Sequence, residues 1–448
     1  MKHKITPYYD RVKKENEFQD YFDRKIFSTN LTNLLLSTED SLIISINAKW
    51  GEGKTTFVKK WQDDLASNDI FIPIYFDAFK NDFASDAFIS LAVTIQKAIQ
   101  NYNKKNGRKN TSDSLINRYA ESATSLGFEL AKMALNTTLN ISTGGLLQAD
   151  NLIDFLFGKA RQFDKNENKA LIDEKYDSFL KRNETIEDYH RALKDLLKSD
   201  DGESRKIIFF IDELDRCRPS FAIQVIEKVK HLFSIENVNF VLTVNRNQLI
   251  QIIQHSYGVD NEDADLYFQK FIDIETTLPE LSELKKTDIH KLKTYLEELL
   301  RAFEIPEEIL SIDVLYGLIQ NSIDYLKYTP RSIERMLSLF TISTSSIDEK
   351  KVIEYSDRLI LLCLLKIHSP FNFKRAKESN QLSTSKMINN KKNFLGTKFY
   401  SFIVQNESLN ANVFKNSSNY IEINGLKESA KIVDMYDLPS ENKIFTKE

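Results

Sequence analysis

Cysteine is scarce: Cys217 and Cys363 are the only two in 448 residues. Standing far apart, they offer neither a disulfide framework nor zinc-ligand spacing, and such usage suits a reducing compartment. The six histidines are scattered, and none stands beside a nucleophile in a spacing that signals a hydrolytic triad. Long hydrophobic runs are missing as well. The longest, Leu359 to Leu365, ends at Lys366, far short of the roughly 20 apolar residues of a membrane-spanning helix. The opening stretch MKHKITPYYDRVKKENEF lacks the apolar core of a secretory signal. Charge of one sign is not in excess either: 61 basic against 65 acidic residues give a formal net charge of -4. No global field therefore announces a nucleic-acid partner. These absences lead to the expectation of a soluble, cytoplasmic protein without a transmembrane segment.

What is present is the composition of a globular protein, 42% hydrophobic and long enough for two or three domains. Glycine is rare, 12 in all, yet Gly51 and Gly53 stand together in NAKWGEGKTTFVKKW. The pattern Ala48-x4-Gly53-Lys54-Thr55 is that of a phosphate-binding P-loop, with alanine where the first glycine usually stands. Residues 42–46 read as a buried strand and residues 55–65 as a helix, which is the context such a loop requires. There, Gly51 and Gly53 let backbone N–H groups wrap phosphate oxygens, and the helix N-terminus adds partial positive charge. Lys54 is expected to reach the β- and γ-phosphates and Thr55 to offer its hydroxyl to magnesium. Ala48, Trp50, Glu52 and Thr56 complete the expected nucleotide-binding set.

A second element supports the first. KIIFFIDELDR, residues 206 to 216, is a continuous apolar strand ending in acids, and open α/β sheets bind ligands at the carboxyl ends of their strands. Asp212 is thus placed to hold the magnesium shell and Glu213 to polarise an attacking water. An amphipathic helix follows from Pro219, with Phe221, Val225, Val229, Leu232 and Phe233 on one face. Residues 238–244 then form another apolar strand. Its polar tip, Asn245, either senses the γ-phosphate or is a plain turn. The fold class expected from these pieces is α/β, a P-loop NTPase with a mostly parallel sheet flanked by helices.

Together KWGEGKT, FFIDELDRCRPSFAIQVIEKVKHLF and NFVLTVNRNQL resemble the KAP family of P-loop NTPases, over about residues 20 to 345. Asp215, Arg216 and Pro219 carry the most specific part of the resemblance. Tyr75-Phe76-Asp77-Ala78-Phe79 matches the family's aromatic stretch after its second strand, and Pro330-Arg331 with Arg335 matches a helix start. Two departures stand out: Asn245 replaces a common aspartate, and the membrane-spanning insertion of many relatives is absent. The resemblance implies an additional-strand, catalytic-glutamate architecture with sheet order 5-1-4-3-2, ATP with Mg2+, and self-assembly into a homo-oligomer. It also implies a role as the ATPase component of a phage-exclusion or defence system that acts with a separate effector protein. The implied order puts strand two at an edge, where Pro73 is tolerated because an edge strand can spare a ladder donor.

The remaining chain divides by pattern. Residues 1–103 and 201–280 are the two halves of the NTPase core, 104–200 a mainly helical insertion, 281–368 a helical lid, and 369–448 a polar, basic C-terminal region. The insertion shows helical spacing at Leu126, Leu130, Met133 and Ala134, and again at Leu152, Phe155 and Leu156. Because the sheet supplies its own core, removing residues 104–163 is expected to leave that core folded. Arg331, opening a lid helix, is either a second sensor of the γ-phosphate or a solvated cation. Arg216 either pairs with Asp215 or another near carboxylate, or, like Arg218, acts as an arginine finger on a neighbouring subunit. Residues 371–399 carry seven basic residues against Glu378, interleaved with phenylalanines that suit single-stranded nucleic acid. A tail packed by those phenylalanines is the alternative. Beyond active hydrolysis, a nucleotide-gated assembly module and an ATP-driven nucleic-acid motor are the competing functions.

Overall fold

The computed structural model describes residues 1–5, 9–11, 19–84, 86–105, 111–142, 165–198, 204–280, 289–322, 328–345, 347–368, 370, 373–374, 377, 381–383, 416–417, 420–422 and 433. They form two compact units, one of Thr29–Ala48 and Val58–Thr277, the other of Met1–Ser28, Lys49–Phe57 and Leu278–Glu448.

The first unit is built on a sheet of β1 (Ile43–Asn47), β2 (Phe71–Asp77), β3 (Lys206–Asp212), β4 (Val238–Val244) and β5 (Ile274–Thr277), ordered β2-β3-β4-β1-β5. Every pairing is parallel. This is the order implied by the resemblance. Parallel strands are covered on both faces, so β3 and β4 have no solvated side to alternate with, and every residue of both is buried. Pro73 lies on β2 opposite Ile208, and β2 is an edge strand that pairs with β3 alone. The missing proline N–H therefore costs no ladder bond.

Helix α1 (Arg24–Ser37) precedes β1, and α2 (Lys54–Leu65) follows it. Trp61 of α2 meets Phe210 of β3 edge-on at 5.1 Å. On another part of the core a run of rings crosses the sheet: Phe76 to Phe209 at 5.9 Å, Phe209 to Phe240 at 5.3 Å, and Phe240 to Phe233 at 5.9 Å. Phe233 continues to Phe88 of α3 (Ala87–Lys105) at 5.6 Å, and Phe88 to Tyr189 at 5.3 Å. Each such pair stabilises by about 0.5–1.5 kcal/mol beyond its area burial.

Tyr189 belongs to the insertion, whose long helices are α4 (Thr111–Ser142) and α5 (Lys165–Leu197). Arg118 pairs with Asp195 at 2.9 Å and the rings of Tyr119 and Tyr189 lie 5.5 Å apart, so the two helices run antiparallel. Ile116, Tyr119, Ala123 and Leu126 are buried in the same core as the sheet. The insertion is therefore rooted in the NTPase core, contrary to the expectation that residues 104–163 are separable. Met133 and Ala134 lie on α4, while Leu152, Phe155 and Leu156 lie outside the described residues. Helices α6 (Pro219–Leu232), α7 (Arg246–Tyr257) and α8 (Asn261–Gln269) complete the unit. The expected apolar face of α6 is buried throughout.

In the second unit, α9 (Ile289–Ala302), α10 (Ile312–Ser322), α11 (Pro330–Thr344) and α12 (Glu349–His368) pack around Leu296, Phe303, Ile319, Leu337, Phe340 and Leu361. A short antiparallel sheet, β6 (Gln381–Ser383), β7 (Asn416–Ser417) and β8 (Tyr420–Glu422), adds to it in the order β6-β8-β7. Most of residues 371–399, and with them the expected single-strand-binding surface, lie outside the described residues. No described helix is long and apolar enough to cross a membrane.

Candidate nucleotide site

In register, Asn47 of β1 pairs with Val244 of β4, and Thr243 of β4 with Asp212 of β3. Parallel pairing thus brings the carboxyl ends of all three strands together at one end of the sheet. Ala48, buried, continues β1 by donating its N–H to the Val244 carbonyl at 3.0 Å. The chain then enters the loop.

Within the unit that holds this loop, Gly51 and Gly53 have φ of +85° and +83°, values that L side chains adopt at a cost. A Cβ on Gly51 would lie 2.7 Å from Thr329 Oγ1 and 2.9 Å from Arg331 Cβ. The Phe57 N–H donates to the Gly53 carbonyl at 3.0 Å, so the loop passes straight into α2. The Lys54 side chain is buried and folds back to donate to the Lys49 carbonyl at 3.2 Å. Trp50, Thr55 and Thr56 are half-buried. Arg331 is exposed at the start of α11, where Thr329 caps the helix in a reciprocal box with Ser332.

Glu52 departs from the others. It is buried, and burial, aided by the like charge of Glu280, raises its carboxyl from 4.5 to about 7. Beside it is Arg24, whose guanidinium donates from Nη2 to the Glu52 carbonyl at 2.7 Å and to the Pro279 carbonyl at 3.0 Å. Arg24 Cζ also lies 4.7 Å from the centre of the Phe22 ring. Burial lowers the guanidinium to about 10, against the pull of Glu52 and Asp20.

In the sheet unit, Asp212 is completely buried. Its Oδ1 accepts from Thr243 Oγ1 at 2.7 Å and from the Glu213 N–H at 3.0 Å, and its Oδ2 accepts from the Tyr75 hydroxyl at 3.1 Å. Glu213 has φ of +62°, the left-handed region, which turns the chain sharply at the strand end. Its Oε2 pairs with Arg216 Nε at 2.5 Å. The partner of Arg216 is thus Glu213 rather than Asp215. Arg218 is engaged too: its Nε and its backbone N–H each donate to Asp82 at 2.9 Å. Asn245 occupies the N-cap position of α7 without a side-chain cap bond, and next to it Arg246 pairs with Glu275 at 2.6 Å and with Asp265.

A model of the KAP family P-loop domain matches residues 24–347. The chain belongs to this family. No curated protein matches it. Among solved structures, it is similar to Cdc6p from Pyrobaculum aerophilum at 11% identity and a TM-score of 0.33, over 93% of this chain and 96% of that one. It is also similar to Drosophila ORC bound to DNA, at 11% identity and a TM-score of 0.29, over 89% of this chain and 90% of that one. Likenesses this distant carry no functional weight.

The KAP domain recruits three residues that motif reading overlooks. Arg24 belongs to no motif and acts on Glu52 across 28 positions. Thr243 lies inside an apolar strand, and only the neighbouring β3 gives its hydroxyl a role. Tyr75 stands in the aromatic stretch on which the sequence resemblance rests, yet nothing in that stretch points to Asp212.

Proposed function

We propose that the chain binds ATP with magnesium and hydrolyses it, the lid helices responding to the occupancy of the loop. The observation that carries this reading is the loop itself, with Gly51 and Gly53 at positive φ between β1 and the Lys54 end of α2. Such a backbone presents successive N–H groups to phosphate oxygens. The residues fit a nucleotide and its metal: side chains are excluded at Gly51 by Thr329 and Arg331, and Asp212 is held by neutral donors at a strand end. Bound magnesium would neutralise phosphate charge, and Thr55 and Asp212 are the groups that would hold it. Lys54 contributes a cation at the β- and γ-phosphates, and Glu213 takes a proton from the attacking water. Release of phosphate over many turnovers tests this, with Lys54→Ala expected to abolish it. Wild-type protein that binds no nucleotide would refute the reading.

A second reading, a nucleotide-gated module that turns over rarely, is favoured by the Glu213–Arg216 ion pair, which occupies the base. Single-turnover and multiple-turnover rates separate the two. From the family we further propose that this activity serves phage exclusion, through a self-assembled form and a separate effector. The sequence supports it by showing no nuclease, protease or deaminase constellation of its own. Protection of host cells by wild-type protein but not by Lys54→Ala tests that proposal.

A further inference from the structure

One contact in the sheet unit reaches Asp212 from the edge strand. Side chains of a strand alternate between faces, and the β2–β3 register sets Tyr75 opposite Phe210 and Asp77 opposite Asp212. Tyr75 therefore shares a face with Asp212, one strand over and one step back. A phenol is long enough to bridge that diagonal, and it does, donating to Asp212 Oδ2 at 3.1 Å. Phenylalanine would cover the same apolar surface without the bond. The opposite oxygen, Oδ1, is held by Thr243 of β4 and by the Glu213 backbone. The carboxylate is thus gripped from both neighbouring strands, with donors on each oxygen, which fixes its plane.

We infer that Tyr75 is a positioning residue for the metal shell: by holding the Asp212 carboxylate from the edge strand, it sets how tightly the chain retains magnesium with its nucleotide. This rests on the reading of Asp212 as a metal-shell residue. Partners that orient a metal-binding carboxylate are typically worth about 10-fold or more in metal affinity when removed.

The test uses full-length wild-type and Tyr75→Phe protein. A fluorescent ATP analogue is titrated at increasing Mn2+, bound Mn2+ is followed by electron paramagnetic resonance, and analogue binding is also measured in chelator. Tyr75→Phe is expected to need about 10-fold more Mn2+ for half-saturation, while metal-free binding and the melting temperature match wild type. Equal Mn2+ requirements would overturn the assignment of Tyr75 and leave the nucleotide reading standing. A parallel loss of metal-free binding would assign the hydroxyl to general folding instead, which also overturns it. Wild-type protein that binds the analogue without any help from Mn2+ would overturn the metal role of Asp212, and the role of Tyr75 with it.

Discussion

The backbone N–H of Arg331 donates to the carbonyl of Gly51 at 3.2 Å. The first N–H groups of any helix have no partner inside it, and at α11 each is accounted for. Pro330 has none to place, Arg331 gives its own to the loop, and Ser332 gives its own to Thr329 Oγ1 at 3.2 Å. The start of α11 is thus completed by the glycine loop. Movement of the Gly51 peptide would change the satisfaction of α11 directly, so any change in the loop is felt at the start of that helix.

Gly51→Ala tests that link. Alanine at φ of +85° costs about 1–2 kcal/mol, and its Cβ would collide with Thr329 Oγ1 at 2.7 Å. Loss of nucleotide binding and a lowered melting temperature are expected. Gly53→Ala meets a similar φ, but its nearest neighbour is the end of a side chain, Arg24 Nη1 at 3.0 Å. It should melt closer to wild type. Equal melting of the two variants would show that the contact with α11 contributes nothing.

Glu52 predicts a pH dependence. Its folded value, about 7, lies above its ordinary 4.5, so the folded chain holds this proton more tightly than the unfolded chain. The resulting stabilisation is complete below pH 4.5 and is lost as pH rises toward 7. A shift of that size corresponds to about 3 kcal/mol. Glu52→Gln cannot ionise and should escape the loss, so its stability relative to wild type should grow between about pH 5 and about pH 8. Urea denaturation of both proteins at the two pH values measures this. A difference that stays flat would remove Glu52 as the source.

Glu213→Gln should retain nucleotide binding and lose turnover by about 10² to 10⁴. Arg216 already has a partner within its own chain, Glu213 at 2.5 Å. A mixture of Arg216→Ala with Glu213→Gln protein is therefore expected to hydrolyse no faster than the sum of its components. Recovery of activity on mixing would show that Arg216 reaches a neighbouring subunit, and would displace the local ion pair as its main role.

Much of the sheet was legible because parallel strands buried on both faces leave uninterrupted apolar runs, as in IIFFI and FVLTV. The edge position of β2 was legible from Pro73. Other features depend on distances that sequence does not carry. Tyr75 and Asp212 are 137 positions apart, and only the strand register makes them neighbours. Helix α5 is polar over most of its length, and among its described side chains Tyr189, Ala192, Leu193, Leu196 and Leu197, in its last turns, are buried. A helical insertion could therefore be anticipated, while its attachment to the core could not.

That attachment revises where the insertion can be cut. Removing residues 104–163 takes away Ile116, Tyr119, Ala123 and Leu126, all buried with the sheet, and leaves Tyr189 without the ring it packs on at 5.5 Å. Each of the three large side chains among them, Ile116, Tyr119 and Leu126, costs about 2–5 kcal/mol when lost from a core, a sum comparable with the whole stability of an ordinary domain. That deletion is expected to yield insoluble protein. A cut farther out, replacing residues 132–178 by a short glycine-serine linker, keeps these four residues and the Arg118–Asp195 pair. Because α4 and α5 run antiparallel, the linker joins neighbouring points and closes a short loop. The shortened protein should stay soluble, melt near wild type and bind nucleotide. If it instead unfolds while the 104–163 deletion stays soluble, the core does not extend into the insertion as the Tyr119–Tyr189 contact indicates.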